Sequence, residues 1–256
     1  MASGDFRQRA SQGEESFSEE DDVRAEVVFG RGLAARILGK YAFYENDKLN
    51  EYVNKIGKGL AQFANRPEIE FRFAVLDTDI VNAYAAPGGY IFVTKGALRQ
   101  MEDEAELAAV LSHEIAHVTE RHIVKELNIK GTEVSPVSGF AQVLGGGSGA
   151  VRTAFTQMVD KAAEILFEKG LKKEDEYDSD RVATMTIATA GYDPSALKRY
   201  LKKISNSAKE TKTLTDTHPS FDERIKNVDN VLAENQLTDK KQALVKGRFN
   251  ENVRIK

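Results

Sequence analysis

Cysteine is absent from the 256-residue chain, which excludes disulfides, thiolate metal ligands and thiol nucleophiles together. The compartment stays open, since a chain without thiols is at ease in oxidising and reducing surroundings alike. No stretch approaches the roughly 18 consecutive apolar residues of a membrane span. The N-terminus also lacks the charged-then-apolar pattern of a secretory signal, so no transmembrane segment is expected and the chain as written is read as soluble. Positive charge is not in excess: a formal net charge of -4 and a pI near 5.7 leave no basic footprint for nucleic acid. The pairs Lys202-Lys203 and Lys240-Lys241 are read as solvated helix faces. Histidine is scarce, with four in the chain, so where they fall matters.

Two of them fall in Leu111-Ser112-His113-Glu114-Ile115-Ala116-His117, an HExxH pattern. Imidazoles four apart on a helix lie one above the other and can aim ring nitrogens at one metal ion, with the intervening glutamate on the same open side. Neutral imidazoles suit zinc, a third protein ligand completes the cage, and the fourth position is left for water. Zinc lowers the pKa of that water to about 7, and a carboxylate beside it can take the proton as the oxygen attacks a carbonyl. His113 and His117 are therefore the expected metal ligands and Glu114 the expected base. The bland alternative is a surface helix with solvated histidines. Against it, Leu107, Leu111, Ile115 and Val118 form one apolar stripe while Val110 lies with the histidines, so the helix reads as covered on both faces.

What remains is ordinary globular material, 41% hydrophobic and 30% charged, enough for one or two domains and a sizeable core. Residues 1–40 read as a polar, acidic lead-in followed by an N-terminal helix from near Ser18 to Gly39. A second helix follows from about Asn46, with Leu49, Tyr52, Val53, Ile56 and Leu60 at helical spacing. Phe71, Phe73 and Val75 alternate as a strand, a second extended stretch runs from Val81 to Ala85, and Tyr90 to Val93 is the clearest strand in the chain. Pro87-Gly88-Gly89 between them is a turn signal. A functional reading is compatible with it: small residues beside an edge strand let a peptide approach and pair, which makes Gly88, Gly89, Tyr90, Ile91 and Phe92 candidate substrate-binding residues.

The metal helix is expected over Glu104 to Leu127. Residues 129–150 read as loops around a short apolar piece, either a lid or a plain connection. A helix from about Val151 to Lys169 comes next, then an acidic helix carrying Glu174, Glu176 and Asp180. The third ligand belongs on this acidic helix. Glu176 and Asp180 share a face, so a glutamate can reach the metal while an aspartate one turn on accepts from a ligand imidazole. Spacing alone does not separate Glu176 from Glu174.

Several separated motifs occur in one order: Asn82 through Gly89, Ile91 to Val93, Gly96, Glu104 to Ala108, the HEIAH run with Val118, Arg121 and His122, Glu176-Tyr177 with Asp180, then Thr217-His218-Pro219-Ser220 with Arg224-Ile225. Together they resemble the M48 family of zinc metallopeptidases over roughly residues 40 to 230. The resemblance implies an α+β, mostly helical zincin-like metallopeptidase domain, placed at 41–235, with a small β-sheet beside the metal helix and a basic tail at 236–256. It implies one zinc per chain, Glu176 as the third ligand and Asp180 supporting the site. Ser179 stands where alanine is usual and Ala86 where a larger apolar residue is common, departures that bear on substrate fit more than on zinc. It also implies the branch without membrane spans, often of the periplasm or cell envelope, a signal segment being absent from the sequence as written. No helical repeat is visible after Leu237.

His122 sits five residues past His117, roughly opposite the metal on a continuous helix, and reads as structural. His218 reads in two ways, as a donor to the developing oxyanion, worth about 3 kcal/mol, or as a ring that fills zinc's open position. The expected function is hydrolysis of internal peptide bonds in unfolded or extended polypeptide. The alternatives are a zinc-stabilised binding or chaperone-like module with little peptidase activity, and a zinc hydrolase acting on a non-peptide bond.

Overall fold

The computed structural model describes residues 19–130, 149–206 and 217–255. The expected lead-in up to residue 18 and most of the 129–150 segment lie outside the described residues. Among the described residues no helix is long and apolar enough to cross a membrane. The architecture is α+β, with helices enclosing a small mixed sheet.

Helix α1 (Glu19–Lys40) and helix α2 (Asp47–Ala61) precede the sheet. The Asn46 side chain caps α2 by accepting from the Leu49 N–H, satisfying one of the orphan donors of the first turn. Strands β1 (Arg72–Leu76), β2 (Ala83–Ala86) and β3 (Tyr90–Thr94) lie in the order β1-β3-β2. β1 is parallel to β3, with Phe73 opposite Ile91, and β2 is antiparallel to it, with Ala85 opposite Ile91. β3 is thus the central strand.

The two edges of the sheet differ. Along β1, side chains of α2 take the outer backbone groups: Asn54 Oδ1 accepts from the Phe73 N–H and Asn50 Oδ1 from the Val75 N–H at 2.9 Å. That edge is closed to another strand. The outer edge of β2 faces the long central helix instead.

After the short helix α3 (Lys95–Arg99), that central helix, α4 (Glu104–Thr119), starts at an Asp103 cap and is buried from Glu104 to Val118. It ends earlier than its apolar pattern suggests. Arg121 is left-handed, at φ 58°, and the chain restarts as α5 (His122–Glu126) in a new direction. Helix α6 (Gly149–Glu164) runs into a π-helical turn at Ile165–Lys169. α7 (Lys173–Thr189), α8 (Ala196–Ser205) and α9 (Phe221–Glu234) complete the body, and α7 lies along α4.

Side chains on the two faces of the sheet enter two cores. Phe73, Val75, Ile91 and Val93 pack with α2, α4, α7, α8 and α9; Leu76, Tyr84, Ala86 and Phe92 pack with α1 and α6. Phe29, Leu33 and Ile37 of α1 are fully buried there, so the N-terminal helix is part of the body. The tail forms α10 (Lys246–Asn252). Its Arg248 pairs with Glu104, which also accepts from the hydroxyls of Tyr52 at 2.8 Å and Tyr192 at 2.7 Å.

Candidate active site

Helix α4 presents His113, Glu114 and His117 toward the first turns of α7, which supply Glu176, Ser179 and Asp180. His113 Nε2 and His117 Nε2 are 3.0 Å apart. Glu176 lies 3.5 Å from each, through Oε2 to His113 and Oε1 to His117. A tetrahedral zinc with bonds of about 2.05 Å would separate its ligand atoms by about 3.3 Å. The three atoms therefore already sit near the spacing a metal would give them. Glu176 Oε2 is also buried without a hydrogen-bond partner, an unmet demand that a cation answers. Among the described residues these three form the one cluster whose atoms converge in this way. Glu174 is exposed and outside it.

The surrounding groups keep this charge in place. His113 presents Nδ1 to Asp180 Oδ1 at 3.0 Å, and Arg224 from α9 grips the same carboxylate with two nitrogens, at 2.6 and 3.0 Å. Asp180 is fully buried and Arg224 4% exposed, so neither charge is tolerable without the other. Burial opposes a charged ring at both histidines, yet Asp180 and Glu176 push His113 up to about 9. His117 is held well below its ordinary value, first by burial and further by the charge of the neighbouring His113 ring, against the pull of Glu176. Burial also acts against Glu176, but the imidazoles of His218, His113 and His117 hold it well below the usual carboxylate range. Burial pushes Glu114 up to about 7, where a carboxyl can exchange a proton near neutral pH.

His122 does not lie opposite the metal face. The left-handed Arg121 breaks the helix between them, so the ring turns back and its Nδ1 rests 2.9 Å from His117 Nδ1. Ser179 Oγ is 3.2 Å from the same nitrogen. The serine that departs from the usual alanine therefore touches a candidate ligand and bears on the metal cluster directly.

The candidate substrate-binding run is divided. Tyr90, Ile91 and Phe92 belong to the central strand, hydrogen-bonded on both sides, and expose no free edge. Gly88 and Gly89 do permit a close approach, but by the chain itself. A Cβ on Gly88 would meet the Val27 backbone at 2.7 Å and one on Gly89 the Glu70 carbonyl at 2.8 Å, and both have positive φ. Strand β2 borders the cleft instead. Thr94 N–H donates to the Asn82 carbonyl, and alternation along an antiparallel pair then turns the backbone groups of Ala83 and Ala85 outward. Ala83 N–H is taken by Asn82 Oδ1 at 2.9 Å.

Two small cavities adjoin Glu114. One is lined by Asn82, Ala83, Val110, Leu197, Leu201 and Ile204, the other by Tyr84, Ala85, Ile165, Leu166, Gly170 and Leu171. His218 borders both, with Nε2 3.5 Å from Glu176 Oε2 and Nδ1 2.9 Å from Thr217 Oγ1. In the sequence Arg224 and His122 stand among the motif residues, but Arg224 has no role there, His122 reads as facing away from the metal, and the β2 edge is not singled out. A physical signal for Arg224 was there: three buried carboxylates require a cation.

The model of peptidase family M48 matches residues 47–232. The chain belongs to peptidase family M48. It is 28% identical over 227 residues to the beta-barrel assembly-enhancing protease of Yersinia pestis, covering 81% of this chain and 44% of that one. It is 25% identical over 193 residues to the mitochondrial metalloendopeptidase OMA1 of Schizosaccharomyces pombe, covering 73% and 54%. The metalloprotease YcaL of Escherichia coli K12 is 24% identical over 213 residues, covering 83% and 81%. The chain thus spans about 44% of the length of the first of these relatives. Residues 47–232 form its M48-family domain, and His113, His117 and Glu176 are a cluster that could hold a metal ion.

Proposed function

We propose that this chain is a zinc-dependent endopeptidase acting on unfolded or extended polypeptide. The observation that carries the reading is the convergence of His113 Nε2, His117 Nε2 and an unpartnered Glu176 oxygen beside buried Glu114. Two imidazoles and a carboxylate suit zinc, which supplies a polarised water and a Lewis acid for the scissile carbonyl. Glu114, held near neutrality by burial, takes a proton at its carboxylate and returns it to the leaving amine. Asp180 orients the His113 ring, and Arg224 holds Asp180 ionised.

The substrate lies extended along the open edge of β2, pairing with the outward groups of Ala85 and the Ala83 carbonyl; only an unfolded segment can add a strand there. Small side chains on this edge keep the peptide backbone close to Glu114. Its neighbours on either side enter the two apolar-lined cavities. An envelope compartment is in keeping with the relatives' printed role in beta-barrel assembly.

A second reading, a latent or chiefly binding module, draws on His218. Its ring borders both cavities and approaches Glu176, where it can serve the oxyanion or occupy the metal's open position. The test is digestion of unfolded casein after chelation and again after zinc is restored, with fragment ends read by mass spectrometry. Internal cuts that depend on zinc support the endopeptidase. Zinc uptake without cleavage supports latency, and hydrolysis of small esters alone points to a non-peptide bond.

A further inference from the structure

The buried ring of His122 has no part in the chemistry above, yet it is 4% exposed and touches a candidate ligand. A buried imidazole needs partners for both nitrogens. Its Nδ1 faces His117 Nδ1 at 2.9 Å, and its Nε2 faces the Asp175 carboxylate at 3.7 Å. His117 turns Nε2 toward His113 and Glu176, so its Nδ1 points away from the ligand cluster.

Valence then fixes the protons along this row. When a metal takes the Nε2 lone pair of neutral His117, that ring's proton must sit on Nδ1. Two N–H groups cannot face each other at 2.9 Å, so His122 Nδ1 must be the acceptor and its own proton must sit on Nε2, toward Asp175. We infer that His122 is a positioning residue for the metal site: with Asp175 behind it, it holds His117 in the tautomer that leaves Nε2 free for the metal. The inference rests on the metal reading given above.

The two ligand rings are supported by different means. His113 leans on a carboxylate fixed by Arg224, whereas His117 leans on a second imidazole. Ser179 Oγ, 3.2 Å from His117 Nδ1, stands beside that contact and can share the same N–H. The left-handed Arg121 makes the arrangement possible, since on an unbroken helix residue 122 would face away.

Partners of this kind are worth about 10- to 100-fold in metal affinity. Zinc dissociation constants from chelator competition should therefore weaken about 10- to 100-fold in His122→Phe. His122→Asn, whose Oδ1 can accept where Nδ1 did, should recover most of that loss. Melting of the zinc-free proteins separates this from damage to the fold, which would lower both variants and leave Asn without advantage. Phe binding zinc as tightly as wild type, or Asn binding as weakly as Phe, overturns the inference. Nitrogen-15 NMR of zinc-loaded wild type gives the answer without a variant: His122 should carry its proton on Nε2, and a proton on Nδ1 overturns it. Wild type that takes up no zinc would sink the metal reading itself, whereas the variants and the tautomer decide the role of His122.

Discussion

Two imidazoles four residues apart declared themselves in the sequence because helical geometry makes the pair local. The third member, Glu176, was legible through the motif resemblance and not through spacing. Glu174 and Glu176 are equivalent by spacing, and only the approach of α7 to α4 puts Glu176 within 3.5 Å of both rings. His122 shows the opposite failure. On a continuous helix it would face away from the metal, and one left-handed residue, Arg121, turns it back. At this scale Asp180→Ala should be among the most damaging changes away from the cluster itself. It frees His113 Nδ1 and strands the Arg224 charge in a buried site. Zinc affinity should fall about 10- to 100-fold and the melting temperature should drop as well, both measurable by chelator competition and calorimetry.

Among the elements, helices and strands were legible through their periods, and the turn at Pro87-Gly88-Gly89 through its residue types. Which strand was the edge was not legible, because strand order is set by pairing between segments far apart in sequence. The clearest strand proved central for the same reason that it was clear: a strand covered on both faces reads as a continuous apolar run. The unpaired outer edge of β2 predicts that peptides N-methylated at the amide that would face Ala85 lose cleavage while a methyl on the adjacent residue, whose amide points to the outer side, is tolerated. Equal cleavage of both peptides would remove β2 from substrate binding. A second expectation concerns Gly170, which has φ 76° and a Cβ position only 1.8 Å from the Thr217 carbonyl. Gly170→Ala must push the Thr217–His218 segment away. Its casein-cleavage rate should shift in the same direction as that of His218→Ala, with zinc content unchanged; opposite shifts would show that His218 acts from elsewhere.

For the molecule as a whole, the C-terminal segment was legible in the sequence as a basic tail and no more, since a short polar helix carries little pattern. The structure ties it to the start of the metal helix through Glu104, fully buried and shared by Tyr52, Tyr192 and Arg248. Burial works against that charge, but the Arg248 guanidinium and the two tyrosine hydroxyls hold Glu104 below the usual carboxylate range. A carboxylate depressed in the folded state stabilises above its unfolded pKa, and that contribution is lost as pH falls through the folded value. Glu104→Gln should therefore lower stability at pH 7 by about 1–3 kcal/mol. The gap from wild type should narrow as the pH is taken below about 4. A gap that stays constant with pH would mean that the charge of Glu104 contributes nothing.

The metal site and its base are separable parts, and Glu114→Gln divides them. Wild type and variant should each hold one zinc, quantified on the same preparations used for cleavage of unfolded casein. Wild type should cut, and the zinc-loaded variant should be slower by about 100- to 10,000-fold. A variant that binds zinc and cuts as fast as wild type would contradict the assignment of Glu114. A wild type that neither holds zinc nor cuts would contradict the site as a whole.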